Sequence, residues 1–418
     1  MKSLLKWLYP GLGIKRWFLL FLGGVGMGSY GLAMLLPLPL PPLSPLRGIL
    51  FICLGTGMAV VGLRQTFRSL LSVLLPQDEE RLADVVYRRR HLGKGPKIVA
   101  LGGGTGLSVL LRGLKEYTGN ITAIVTVTDT GGSSGRLREE LGILPPGDIR
   151  NCLVALADTE PLMESLFQHR FQSGEGLAGH NLGNLFLAGL TEILGDFSAA
   201  VRQASRVLAV QGQVLPSTLE NVTLQAELAT GERVVGETNI AGQGERIRRL
   251  SLVPAKPRPV PEAVEAIREA DAIVLGPGSL YTSVLPNLLV EELAEAIRLS
   301  PAPCIYVCNV MTQWGETHGY TAADHLEVLQ EHIGAGLVDY IIVNTVAAPP
   351  RILERYRQEK AHPVRVDLER LQKMGVRIIR GNFISYTNYV RHDPARLARA
   401  VMKLVVGSYF RQPFSGRW

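Results

Sequence analysis

Residues 97–108 read KIVALGGGTGLS. Ile98, Val99, Ala100 and Leu101 are four apolar residues in a row, the mark of a short strand buried on both faces. Gly102, Gly103, Gly104 and Gly106 break it, and LSVLLRGL follows with helical spacing. Strand, glycine turn and helix start bring free backbone N–H groups and the positive end of a helix to one point. That point suits a phosphate, which glycines allow to approach the backbone. A glycine turn in a βα unit also serves packing alone, so its neighbours must be read with it.

Outward from this unit, strand and helix alternate. Residues 121–128 (ITAIVTVT), 271–279 (DAIVLGPGS), 304–310 (CIYVCNV) and 338–344 (VDYIIVN) are further apolar runs. PEAVEAIREA, VEELAEAIRL, TAADHLEVLQEHI and RILERYRQEK supply helices between or after them. The alternation predicts an α/β fold, a mostly parallel sheet with helices on both faces. The body is expected to span 97–410, with a tail at 411–418. An insertion is expected at about 148–255, helical at first and ending in a β-hairpin, NVTLQAELATGERVVGE, with Thr230 and Gly231 at its turn.

In such a sheet, ligands bind beyond the carboxyl ends of the strands. The first tip offers Gly103, Gly104, Thr105 and Gly106. The second is DTGGSSGRLREE, where Gly131, Gly132, Ser133 and Ser134 supply donors and Arg136 a cation. Asp129 is the one carboxylate at that tip, placed to accept from a ribose, a base or a metal-bound water, and is the candidate catalytic group. The third tip, GPGSLYTS, holds Gly276, Gly278, Ser279, Tyr281, Thr282 and Ser283. The fourth holds Asn309, Thr312, Gln313, Glu316 and Thr317. Four tips converging on one sheet edge specify more than any one alone. Glu316 beside His318 is not a metal box, since no second ligand sits at helical spacing. Arg138 with Glu139 and Glu140 reads equally as surface charge, and Thr317 or Asp324 as helix caps.

The insertion adds two constellations. PPGDIRN presents Asp148, Arg150 and Asn151, with Asp148 read first as the N-cap of the next helix. GHNLGNL puts His180, Asn181 and Asn184 beside two glycines at a helix start, which suits an anion or a sugar; His180 also reads as a plain cap. Tyr356 and Arg391 read from spacing alone as surface residues.

The 418 residues carry 44 Lys/Arg and 37 Asp/Glu, a formal charge of +7. Residues 1–96 hold twelve of those cations against four acids, so the remainder balances 32 against 33. A near-neutral body excludes a bulk basic field, and with it nucleic acid as partner. Cys53, Cys152, Cys304 and Cys308 have neither zinc-site spacing nor the look of a disulfide framework, so the body is expected to be cytosolic.

Residues 17–36 carry no charge over 20 residues, and 48–63 none over 16. A spanning helix needs about 20 apolar residues. The joining PLPLPPLSPLR cannot stay helical. Lys2, Lys6, Lys15 and Arg16 precede the first run, Arg64 and Arg68 follow the second, and only Arg47 lies between. Both ends are thus expected on the cytoplasmic side of a membrane hairpin over 1–68. The alternatives are a signal peptide, against which the missing cleavage site and the second run argue, and a buried core hairpin. A charged linker at 69–96 follows, with Arg88, Arg89, Arg90 and His91 either on anionic headgroups or on a solvated helix end. The expected location is the cytoplasmic membrane, with the main domain in the cytoplasm.

Taken together, GGGTGLSVLLRGLK, ITAIVTVTD, GGSSGRLR, PPGDIRN, LFQHRF, GHNLGNL, GPGSLYTSVLPNLL and CNVMTQWGETHGYTAADH resemble the YvcK family of bacterial gluconeogenesis factors, in order across 97–405. That family is related more distantly to 2-phospho-L-lactate transferase, which builds a deazaflavin coenzyme. The resemblance implies a Rossmann-like fold that binds UDP-sugars such as UDP-N-acetylglucosamine or UDP-glucose, with no cofactor required for binding. It implies a regulator of gluconeogenic growth, cell shape and peptidoglycan precursor supply, with no reaction firmly assigned. Envelope-precursor or cell-wall synthesis proteins are the expected partners, and a homo-oligomer is expected. By the resemblance, Tyr356 in ERYRQEK and Arg391 in VRHDP match positions implicated in holding the sugar nucleotide. Two departures stand out. Most members lack the N-terminal hairpin, and the second loop reads Asp129-Thr130 where two aspartates are usual. The second departure weakens the alternative, a transferase moving a phosphoryl-linked group from a nucleotide donor with Mg²⁺ and Asp129. A third, weaker reading is an NAD-dependent oxidoreductase, since GGGTG departs from G-x-G-x-x-G and only Asp129 ends the second strand as an acid.

Overall fold

The structure is a computed structural model that describes residues 14–35, 45–74, 92–158, 161–386 and 389–409. It forms two units, Met1–Arg88 and Arg89–Trp418.

The first unit is a pair of helices, Ile14–Leu35 and Pro45–Leu74. The second runs well past the expected 48–63, because RQTFRSLLSVL continues without a helix breaker. Within the pair, Lys15–Leu35 and Leu46–Ser69 are each long and apolar enough to cross a membrane. They meet at glycines: a Cβ on Gly62 would lie 2.5 Å from the Phe21 backbone nitrogen, and one on Gly24 would strike the Ala59 backbone. Such small residues let apolar helices approach closely. Leu19, Leu22, Leu50, Leu54 and Val60 face outward, exposed. Most of the proline-rich loop, the linker from 75 to 91 with Arg88, Arg89, Arg90 and His91, and the tail at 411–418 lie outside the described residues.

The second unit holds β1 (Ile98–Gly102), β2 (Ile121–Val125), β3 (Gln213–Pro216), β4 (Thr223–Leu228), β5 (Arg233–Val235), β6 (Ile247–Val253), β7 (Ala272–Leu275), β8 (Cys304–Val307), β9 (Tyr340–Asn344), β10 (Arg377–Gly381), β11 (Ile384–Tyr386) and β12 (Val390–His392). Seven form one sheet in the order β10-β9-β8-β7-β1-β2-β3, and each of its pairings is parallel. β1, β2, β7 and β8 are buried throughout, as strands with helices over both faces must be. The chain leaves β1 for β2 on one side and β7 for β8 on the other, so a crevice opens between the ends of β1 and β7.

Two sheet strands escape the apolar-run reading, and both are edges. β3 carries an exposed Gln213 and ends on Pro216, and β10 alternates exposed Arg377 and Arg380 with half-buried isoleucines. Edge strands are covered less, so they need no continuous apolar run. β3 also corrects the expected insertion, since 148–255 is interrupted where residues 213–216 rejoin the main sheet. The helix Gly147–Leu156 likewise belongs to the core, with Ile149, Cys152 and Leu153 fully buried. What stands apart is a small antiparallel sheet, β5-β4-β6, with Gly231 in the left-handed region (φ +87°) at the β4–β5 turn.

Candidate functional site

The ends of β1, β2, β7 and β8 open into one cavity of about 470 Å³. Gly103, Gly104, Thr105 and Gly106 form its floor. Gly104 starts the helix Gly104–Leu114 with φ +62°, a left-handed conformation costly for any residue with a Cβ. Gly106 lies against the β7 loop, where a Cβ would come within 2.5 Å of the Pro277 carbonyl oxygen. The two glycine loops therefore pack backbone to backbone, and Gly278 and Ser279 complete the floor.

One wall is acidic. Asp129, Asp148 and Glu237 all line the cavity. The Asp148 expectation is corrected: the helix Gly147–Leu156 begins after Pro146 with no side-chain cap, and Asp148 sits buried in its first turn. The Gly104 N–H donates to its carboxylate. Burial, then the nearby Asp129 charge, push Asp148 up to about 7. Asp129 is not the lone carboxylate that the sequence suggests. It accepts from the Gly131 N–H (2.8 Å) and lies beside Glu237. Glu237 is raised by burial first and then by Asp129. The small antiparallel sheet delivers it, since the helix Glu237–Gly242 follows β5 and Thr238 meets Thr130 Oγ1 to Oγ1 at 3.2 Å.

The opposite wall is aromatic and cationic. Tyr356, from the helix Pro350–Gln358, meets Tyr389, Val390, Arg391 and His392, on or beside β12. The Tyr356 hydroxyl accepts from the Val390 N–H (2.9 Å) and donates to the Val390 carbonyl (3.2 Å). Asn309 and Gln313 close this side. Behind them, Ser279 Oγ lies 2.7 Å from Gln313 Oε1 and 3.1 Å from Glu316 Oε1. Glu316 is buried, its carboxyl raised by burial, and it takes the Tyr281 and Thr282 N–H groups of the π-helical turn Leu280–Val284.

Other expected site residues lie off the cavity lining. Ser133, His180 and Asn184 form a buried scaffold: Ser133 Oγ is 3.1 Å from both His180 Nδ1 and Asn184 Nδ2, and Ser134 Oγ is 3.5 Å from that amide. His180 is not the cap; Asn181 caps the helix Leu182–Leu194 by accepting from Gly183 and Asn184. Arg136 donates to the Ala178 carbonyl (2.9 Å). Buried Arg150 donates to Asn151 Oδ1 (2.7 Å). Gly131 and Gly132 start the helix Gly132–Leu141, and Gly276 bonds back to β1. Tyr281 is wholly buried with its hydroxyl 2.9 Å from that of Tyr320, a core residue despite its place at a strand tip. Thr312 pairs with His362 instead of facing the cavity. Arg138 is no idle surface charge; it donates to the Val222 carbonyl and to Thr223, tying down the small sheet. Asp324 does cap, in a box with Thr321. Glu237, Tyr389 and His392 are lining residues that the strand-tip reading misses, since none follows a recognised β-run.

Residues 98–384 match the family model described as 2-phospho-L-lactate transferase CofD. A Bacillus subtilis protein named gluconeogenesis factor is 54% identical over 75% of this chain and 99% of its own. A Nostoc sp. protein of the same gluconeogenesis-factor naming is 50% identical over 97% of this chain and 93% of its own, so the similarity reaches the N-terminal helices. A solved crystal structure from Bacillus halodurans, described as a member of the UPF0052 family, has a TM-score of 0.72 at 52% identity, covering 74% of this chain and 99% of that one.

Proposed function

The chain belongs to the CofD family, among its gluconeogenesis factors, and from that premise we propose that the crevice binds a UDP-sugar, UDP-N-acetylglucosamine or UDP-glucose. In this reading the protein is a regulator of gluconeogenic growth, cell shape and peptidoglycan precursor supply, acting through envelope-precursor or cell-wall synthesis proteins. One observation carries it: the two glycine loops, a helix N-terminus and Arg391 border a single cavity. Backbone N–H groups and a guanidinium are what a diphosphate requires, and about 470 Å³ suits a small-molecule ligand. Titration calorimetry of the full chain with UDP-N-acetylglucosamine, UDP-glucose, GTP and NAD tests it. UDP-sugar binding that persists without Mg²⁺ supports the reading, and preference for GTP or NAD overturns it.

The acidic wall favours a second reading, a transferase using a nucleotide donor and Mg²⁺. Asp129 and Asp148 are the groups that would address such an ion. Among the described residues no group of three His, Cys, Asp or Glu side chains could hold a metal by itself, so an ion here would also need ligands from the nucleotide. Turnover of a nucleotide donor by the full chain with an acceptor present would establish this reading and displace the first. The two long apolar helices support a membrane tether with the body in the cytoplasm.

A further inference from the structure

Tyr389 stands at the end of the cavity opposite the carboxylates and has no role in the reading above. Its ring lines the cavity and is 38% exposed. Three neighbours fix it: the Arg355 guanidinium carbon 5.0 Å from the ring centroid, that of Arg391 at 5.6 Å, and the Tyr356 ring edge-on at 6.2 Å and 82°. Two cations and an aromatic edge hold the ring before any ligand arrives. The other aromatic of the lining, Tyr356, has its hydroxyl engaged with the Val390 backbone.

The cavity thus offers three chemistries in order. Tyr356 and Val390 pack with Met311 beyond β8, so the π surfaces and Arg391 lie on that side; the glycine loops follow β7 and β1, and Asp129 stands beyond β2. A nucleoside diphosphate sugar has matching parts: a base with a π face, two phosphates, and hydroxyls that donate to carboxylates. A diphosphate against Asp129, Asp148 and Glu237 would meet like charge. We infer that the nucleobase lies on Tyr389, which orients the ligand with its diphosphate across the glycine loops and its sugar toward the three carboxylates. This inference rests on the proposed nucleotide-binding function and adds the direction in which the nucleotide lies.

The test is calorimetry on the full chain with UMP, UDP, UDP-N-acetylglucosamine, the purine nucleotides GMP and GDP and, as a base-free probe, pyrophosphate. Tyr389→Ala should weaken the three uridine ligands by a common factor of about 5- to 150-fold, with Tyr389→Phe close to wild type and Tyr389→Leu close to alanine. Pyrophosphate affinity should not change. Unchanged uridine affinities in Tyr389→Ala overturn the platform while the UDP-sugar reading stands, and so does an equal loss for pyrophosphate. If the wild type prefers purine nucleotides and Tyr389→Ala loses them by a common factor, the platform holds and the UDP-sugar reading falls. A wild type that binds no nucleotide overturns both.

Discussion

Replacing Tyr356 by phenylalanine removes one oxygen, and the structure says what that oxygen does. It bonds both the N–H and the carbonyl of Val390, the residue next to Arg391. β12 is only three residues long and pairs with the equally short β11, so this hydroxyl adds to the burial of Val390 and His392 in setting where Arg391 stands. A neutral hydrogen bond contributes about 0.5–1.5 kcal/mol net, and tenfold in affinity is about 1.4 kcal/mol. Tyr356→Phe should therefore weaken a bound UDP-sugar by roughly 2- to 13-fold. Arg391→Ala removes a charged donor to the diphosphate and should cost about 1.5–3 kcal/mol, roughly 10- to 150-fold. If Tyr356 acts through the seat of Arg391, the losses will not add. In the double variant, Tyr356→Phe should cost little beyond Arg391→Ala, a coupling of about 0.5 kcal/mol or more. Calorimetric affinities of the four proteins give the cycle. Strict additivity, or wild-type affinity in Tyr356→Phe, would refute the positioning argument.

Three further outcomes follow from the same structure. Because Asp148 is raised from 3.8 to about 7, by burial first, its contribution to stability should be full below about pH 4 and be lost as pH rises through 7. Asp148→Asn should make that fall shallower in melting temperatures taken across the range, and an unaltered slope would count against the burial. Gly106→Ala should push the two glycine loops apart at Pro277, lowering UDP-sugar affinity about tenfold or more with the far-UV spectrum retained; unchanged affinity would separate those loops from the ligand. The full chain should sediment with membranes and need detergent for release, and Gly62→Leu should loosen the helix pair by intruding on Phe21; recovery of the wild type in the soluble fraction would remove the tether.

What could be read in the sequence were features carried by contiguous residues. KIVALGGGTGLS gives its own strand, turn and helix, and the buried strands β2, β7 and β8, with β9 buried at its centre, announce themselves as apolar runs. Contacts between distant segments could not be read. Asp129, Asp148 and Glu237 belong to three different elements, and only the small antiparallel sheet brings the last of them in. Tyr281 shows the converse, where a tyrosine among glycines and serines looks like a pocket residue until the π-helical turn rotates it toward Tyr320. Much of the GHNLGNL motif's polarity has a local reason: its side chains bond Ser133 and nearby backbone inside the protein, while Asn184 Oδ1 is buried without a partner. A polar motif at a helix start marks a need for hydrogen bonds, and the sequence does not say whether a ligand or the fold supplies them.

The acidic wall sets a condition on any anionic ligand. Asp148 already takes the Gly104 N–H, one of the donors a phosphate would seek. An ionised Asp148 would both compete for that donor and repel the phosphate, whereas a protonated one competes more weakly and does not repel it. With its pKa at about 7, binding a diphosphate should pull a proton onto the wall, so affinity should fall as pH rises through that value. Glu237, also raised by burial and by the neighbouring Asp129, acts in the same direction. Calorimetry in buffers of differing ionisation enthalpy measures this as net proton uptake between about pH 6 and 8. Asp148→Asn should reduce the uptake, and proton release in the wild type would contradict the argument. Mg²⁺ sharpens the comparison. If the cation neutralised the wall, it would replace the proton, and both the uptake and the pH dependence would shrink when it is added. An uptake indifferent to Mg²⁺ instead leaves the proton as the wall's counter-charge, the state expected of a binding site and not of a metal-dependent transferase.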